Sequence, residues 1–225
     1  MKKIYIYDTF NRVWHWLQAA LMFFLGFTGF EIHGSFEFFG FETAVRWHNI
    51  GAVSLLVLTV FSIFWHFTTG AWRQYIPTTD NLIAQAKYYL FGIFKNAPHP
   101  TEKTELSKLN PLQRLTYVGL KTVLIPLMII TGLMYMFYQF PTTEAAEGFV
   151  TNNYSLIALV HTAGGFAMVA FVIVHMYLVT TGHTLSSNLI AMITGCEKIH
   201  TDDDTDDMSD EDCKKNKNII IKSSK

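Results

Sequence analysis

Four long apolar runs, at about residues 14–32, 48–68, 115–140 and 154–181, alternate with polar stretches along this chain. Each is long enough to cross roughly 30 Å of hydrocarbon as a helix. The pattern predicts an all-α membrane protein, a four-helix transmembrane bundle within residues 1–198, followed by a charged tail over 199–225. Trp14 and Trp16 open the first run, Trp47 the second, and Trp65 and Trp72 mark its exit, which suits the aromatic belts of a bilayer. Between the second and third runs, Asn81 to Lys95 sets Leu82, Ile83, Ala86, Leu90 and Phe94 on one stripe, with Gln85, Lys87 and Lys95 off it. This spacing predicts an amphipathic helix, lying on the membrane surface or packed on a partner subunit. The stretch Asn96 to Pro100 ends it.

Composition agrees with a lipid solvent, since half of the residues are apolar and only 16% are charged. The net charge of −1 matters less than its placement. Lys2, Lys3 and Arg12 precede the first run, and Arg73, Lys87, Lys95, Lys103, Lys108 and Arg114 lie between the second and third. The loops after runs one and three share only Arg46, so the positive-inside rule puts both chain ends in the cytoplasm. The opening residues mix charges and aromatics without a small-residue cleavage site, and the first run is expected to stay in the mature protein. Thr201 to Asp212 carries eight acidic residues and Cys213 to Lys225 five lysines, blocks expected to remain solvated and disordered. Cys196 and Cys213 form no C-x-x-C pair and face a reducing cytoplasm in this topology, so neither disulfide nor metal is assigned to them. Topology accounts for the basic residues, leaving no reason to expect a nucleic-acid partner. No glycine-rich nucleotide loop or nucleophile–base spacing points to catalysis by the chain itself.

Histidine placement supplies the chemistry. His161 and His175 lie fourteen residues apart in the fourth run. On an α-helix this returns the second ring to within about 40° of the first, roughly 21 Å further along. His15 and His33, and likewise His48 and His66, are eighteen residues apart, or five turns. With the inside defined, His48, His161 and His33 form an outer layer, and His15, His66 and His175 an inner one. A single intramembrane histidine is usually a hydrogen-bonded core residue, whereas several in two layers favour two redox centres. Paired imidazoles from different helices suit haem b, which needs no C-x-x-C-H attachment. Zinc wants three or four protein ligands, and no Cys, Asp or Glu is expected at the depth of these rings. Gly51 after His48, and Gly164 and Gly165 after His161, offer clearance for a flat macrocycle, with Gly26, Gly29 and Gly132 as further candidates. Small residues in membrane helices also mediate plain packing. The rival reading, a haem-free transporter with a histidine path, lacks an acidic residue deep in any span and a broken helix, although Pro126 could kink the third run.

R-x-x-H-W at Arg12 to Trp16, H-x-x-G at His48 to Gly51, NPLQRLTYVGL from Asn110, PLMIITG from Pro126 and the fourteen-residue histidine spacing together resemble the bacterial di-haem cytochrome b family. Its members are the membrane anchors of nickel-iron hydrogenases, formate dehydrogenases and thiosulfate-type reductases, and the resemblance covers about residues 8–198. It implies a multi-pass electron-transfer subunit of a bacterial inner membrane, with two haem b groups and quinone as its diffusible substrate. The implied partner is an extracytoplasmic redox enzyme, reached through an iron-sulfur subunit, and a homo-oligomeric complex is compatible with this. Residue by residue, it implies His48 and His161 as ligands of the outer haem and His15 and His175 as ligands of the inner one. His66 competes with His15, or else bonds a propionate or sits by the quinone. Arg12, Arg73 and Arg114 are candidate propionate partners. Asn110, Gln113, Arg114 and His183 are candidates for the quinone site, unless they serve only to cap the third span and anchor loops. A free-standing quinone oxidoreductase for a small oxidant is the alternative that keeps the haems.

Overall fold

A backbone inside hydrocarbon can satisfy its amides within a helix, so apolar runs of this length fold as helices. In the computed structural model, residues 2–70, 72, 82–92, 95, 111–139, 144–182, 184–199 and 213 are described. Strand β1 (Lys2–Tyr5) leads into α1 (Thr9–Ile32) and α2 (Phe41–Thr69). Next come α3 (Leu82–Lys87), extended by a π turn over Tyr88–Gly92, and α4 (Pro111–Gly119), joined by a π turn over Leu120–Leu124 to α5 (Ile125–Gln139). The chain continues through α6 (Glu144–Val179), α7 (Ser187–Thr194) and β2 (Cys196–Ile199). Four helical stretches, Thr9–Ile32, Phe41–Thr69, Leu112–Met136 and Asn153–Val179, are long and apolar enough to cross a membrane. The expected four-span helical architecture is what forms.

The chain divides into two compact units. One comprises residues 16–76 and 115–173 and holds most of every span. Within it α1 meets α2 through Phe24 and Trp47, ring centroids 6.3 Å apart, and meets α6 through Phe30 and Phe166 at 5.5 Å. The α5–α6 contact includes Tyr135 and Tyr154 at 5.5 Å, and α2 packs on α5. Large apolar side chains point outward, Val57 being 63% exposed and Phe67 71%. Such a surface is matched to lipid rather than to water.

The turn from α1 to α2 depends on Glu31, which is buried at 4% exposure. Its Oε1 accepts the backbone N–H groups of Phe38, Phe39 and Gly40 at 2.8, 2.6 and 2.9 Å. A carboxylate there answers the positive end of α2, which begins one residue beyond Gly40. Glu31 sits in the last turn of α1 rather than deep within the span, and these three amides supply the partners that make its burial tolerable. In the third span the N–H of Ile125 reaches the carbonyl of Leu120, five residues back. Pro126 follows directly and has no N–H of its own. The wider turn lies where the proline ring would crowd a regular α register, and it accommodates the disturbance expected there.

The other unit comprises residues 1–15, 77–114 and 174–225. Here β1 and β2 pair antiparallel, Lys2 opposite Ile199 and Tyr5 opposite Cys196, an addition that helical periodicity did not predict. Gly195 ends α7 with φ +89°, and its carbonyl accepts Ile6 N–H at 2.8 Å and Tyr7 N–H at 3.2 Å. A Cβ at Gly195 would sit 2.7 Å from the Tyr5 ring, so the position favours glycine both by conformation and by space. Cys196 and Cys213 are joined as a disulfide, their Cα atoms 6.4 Å apart, which corrects the reading of two unpaired thiols. Their partnership is set by where β2 and residue 213 come together, and spacing along the chain does not encode it. Ile83 in α3 and Leu90 in the π turn after it are exposed, Leu82 and Ala86 are half-buried, and Gln85 is fully buried. The charged tail, apart from Cys213, lies outside the described residues.

Replacing Glu31 by alanine leaves three partly buried amides without their acceptor, and at roughly 1–3 kcal/mol for each unmade bond, part of it recovered by water, the net cost is about 2 kcal/mol. Glu31→Gln keeps an acceptor oxygen and costs less. Thermal unfolding in detergent should therefore rank wild type above Gln and Gln above Ala, and equal midpoints would contradict the assignment.

Candidate cofactor site

His48 lies in the second turn of α2 and His161 in the middle of α6, and their ring centroids stand 6.4 Å apart with the planes at 75°. Each ring meets a threonine on another helix. His48 Nδ1 is 3.0 Å from Thr28 Oγ1, and His161 Nδ1 is 2.7 Å from Thr131 Oγ1. Both hydroxyls already donate to a carbonyl four residues back, Thr28 to Phe24 at 2.9 Å and Thr131 to Leu127 at 2.7 Å. With the hydroxyl proton used in this way, the imidazole Nδ1–H is the donor and the threonine oxygen the acceptor. The Thr28 hydroxyl also lies 3.3 Å from the Leu25 carbonyl. A neutral imidazole protonated at Nδ1 carries its lone pair on Nε2. Tyr135 lies edge-on to His161 at 5.6 Å.

A second pair forms in the other unit. His15 on α1 and His175 near the end of α6 stand 6.2 Å apart, planes at 49°. Two imidazoles bound on opposite sides of one metal, each through a bond of about 2 Å, have ring centres roughly 6 Å apart. Both pairs have that separation. Among the described residues no group of three or more His, Cys, Asp and Glu gathers as a metal site. Two facing rings without a third protein ligand fit a metal that brings its own equatorial nitrogens, as iron in haem does.

His66 is arranged differently. It is buried at 8% exposure, its Nδ1 donates to the Ser62 carbonyl at 2.6 Å, and Lys121 Nζ lies 3.5 Å from its Nε2. Lys121 sits in the π turn of the third span. His33 is exposed at the end of α1, edge-on to Phe166 at 6.0 Å, and does not join His48 and His161. The Arg12 guanidinium donates to the Ile193 carbonyl at the end of α7 and to Thr9 Oγ1 at 3.2 Å. Gln113 and Arg114 are half-buried in the first turn of α4. Asn110, His183 and Arg73 lie outside the described residues.

The glycines divide by what they face. A Cβ at Gly51 would stand 3.1 Å from Phe24 and 3.2 Å from Leu25, and one at Gly164 would stand 2.5 Å from Met128 Sδ. Gly51 lets α1 approach α2 closely, and Gly164 lets α5 approach α6. Gly29 and Gly132 instead face ligand candidates, a Cβ there lying 3.3 Å from His48 Cε1 and 3.5 Å from His161 Cε1. Thr28, Thr131, Lys121 and Glu31 escaped the sequence reading. For the threonines the signal was weak, because the Thr-Gly dipeptide of Thr28 and Thr131 recurs at Thr69, Thr181 and Thr194.

Helices long and apolar enough to cross a membrane, together with a match to a cytochrome family, make the chain a membrane b-type cytochrome. It belongs to the prokaryotic cytochrome b561 family, which its residues 6–195 match. Relatives carry related names. The chain is 30% identical over 201 residues to a protein of Escherichia coli (strain K12) provisionally named cytochrome YdhU, covering 86% of this chain and 74% of that one. It is 28% identical over 209 residues to YedZ1 of Azospira oryzae, provisionally named a protein-methionine-sulfoxide reductase subunit, covering 86% and 98%. A Rhodobacter capsulatus protein provisionally named a Ni/Fe-hydrogenase B-type cytochrome subunit is 26% identical over 217 residues, covering 85% and 80%.

The close approach at Gly51 generates a prediction. Gly51→Leu overpacks the α1–α2 contact and lowers stability by about 1–3 kcal/mol. Gly119→Ala, at a helical position where a Cβ meets nothing within 4 Å, leaves stability unchanged or improved. Thermal unfolding of the two variants in one detergent checks this, and a tolerant Gly51→Leu would contradict it.

Proposed function

We propose that this cytochrome is a di-haem electron-transfer subunit that moves electrons across the bilayer between a quinone pool and an extracytoplasmic redox enzyme. The observation that carries the reading is the pair of imidazole separations, 6.4 Å for His48 and His161 and 6.2 Å for His15 and His175. Both distances suit a metal ligated on two sides. His48 and His161 hold one haem b in this reading, and His15 and His175 hold the other, with His161 and His175 on the single helix α6. A haem with two imidazole ligands supplies one-electron chemistry without an open position for a substrate. Chemistry on a substrate therefore falls to the partner.

His66 is not a ligand in this reading. Its Nδ1 is engaged by Ser62 and its Nε2 by Lys121, which supports His15 for the second pair. The names of the relatives support a redox partner of the hydrogenase or reductase kind. Placement of His48 and His161 toward the outside, and of the quinone near the cytoplasmic face, rests on the excess of Lys and Arg around the chain start and between spans two and three. Quinone contacts are assigned to the start of the third span, at Asn110, Gln113 and Arg114, and to His183. The Gly51 and Gly164 contacts serve the same site by fixing the helices that carry His48 and His161.

The test is haem content by variant. His161→Ala and His175→Ala should each lose one haem of two, and His66→Ala should lose none, in reduced-minus-oxidised spectra of membranes from cells supplied with haem precursor. Full haem content in His161→Ala would overturn the first pairing. Loss in His66→Ala with retention in His15→Ala would overturn the second. Wild-type protein should also be reduced by a quinol added to membranes, and a haem spectrum indifferent to quinol would remove quinone from the proposal.

A further inference from the structure

The threonine hydroxyls that meet His48 and His161 reach a ring on another helix, whereas Ser62 Oγ, 3.2 Å from His66 Nδ1, meets a ring on its own helix. Ser54, Thr59, Thr68 and Thr122 also donate to the carbonyl four residues back, those of Ile50, Leu55, Phe64 and Val118. This is the ordinary way for a hydroxyl to satisfy itself inside a membrane helix. Among the described residues no imidazole is bonded to any of those four. Thr28 and Thr131 make the same intrahelical bond and in addition accept from a histidine on another helix, and they are buried at 0% and 6% exposure. Each is followed by glycine, and both glycines lie against the Cε1 edge of the ring that the threonine bonds. The arrangement occurs twice with the same parts: Thr28-Gly29 on α1 serves His48 on α2, and Thr131-Gly132 on α5 serves His161 on α6.

We propose that the two Thr-Gly dipeptides are a repeated positioning device, in which each threonine fixes its histidine as the Nδ1–H tautomer and the glycine lets the ring approach, so that Nε2 is presented to iron. The inference rests on the reading of His48 and His161 as haem ligands and adds positioning residues to it. Its physical content is twofold. A ring whose Nδ1–H is held cannot turn over to offer the wrong nitrogen, and an acceptor on that N–H makes Nε2 a stronger donor. Stronger donation favours the ferric state, so the two bonds together lower the potential of this one haem. The helices on which the threonines sit do not carry the ligands they hold, so each bond also ties one span to the next.

The full-length, haem-loaded protein in detergent is the material for the test, read by spectroelectrochemical titration and by low-spin ferric EPR. Thr28→Val and Thr131→Val keep the side-chain shape and remove the acceptor. Each should raise the midpoint potential of the same haem while the other stays in place. A tenfold loss of ferric preference corresponds to about 59 mV for a one-electron couple. Thr28→Ser and Thr131→Ser retain the acceptor and should titrate as wild type. Should a valine variant lose one haem while the matching serine variant keeps both, the hydroxyl is again the group responsible. Unmoved potentials in both valine variants at full haem content would overturn the proposal, as would serine variants that shift or lose haem as far as the valine ones. His161→Ala separates this from the ligand assignment. Full haem content in that variant brings down the ligation itself, whereas loss of one haem there with inert threonine variants overturns only the positioning role.

Discussion

An imidazole carried into hydrocarbon is costly without polar partners, and the surroundings of His48, His161 and His66 answer that cost. His48 and His161 give one nitrogen to a threonine on another span and leave the other directed to a site that no described side chain fills with a third ligand. His66 meets the same cost with Ser62 and Lys121. The helices turn many large apolar side chains outward. Several polar contacts among the described residues fix local geometry: Glu31 the turn between α1 and α2, Thr28 and Thr131 the orientation of a ring.

Much of the fold could be read from the chain because spans are a matter of length and hydropathy, which are local properties. The positions of the four helices and the membrane environment follow from them. What escaped was held by contacts distant in sequence or by exceptions to the apolar pattern. Strand β1 pairs with a segment near the other end of the chain, and Cys196 with Cys213 across an acid-rich stretch, and neither partnership has a local signature. Glu31 contradicts hydropathy alone and becomes intelligible only with the three amides it accepts. The π turn before Pro126 was foreshadowed by the proline as a disturbance, but its form depends on the ladder of carbonyls around it.

The candidate site divides in the same way. Histidine spacing along helices is a periodic signal and put His48 near the depth of His161, and His15 near that of His175. Which ring faces which is a tertiary fact, and the ring separations supply it. His66 stood beside His15 as an equal by depth, and the difference between them comes from Lys121, a residue whose direction is set by the π turn. Thr28 and Thr131 were hidden because threonine in a helix normally bonds its own backbone, and only the histidine opposite gives the hydroxyl a further role.

Two facing pairs of rings make the central claim a claim about stoichiometry. The most direct measurement is haem per polypeptide in the purified full-length protein, by pyridine haemochrome against quantitative amino-acid analysis. Two haem b groups per chain is the result the account predicts. One haem, or none in protein made with ample haem supply, would contradict it.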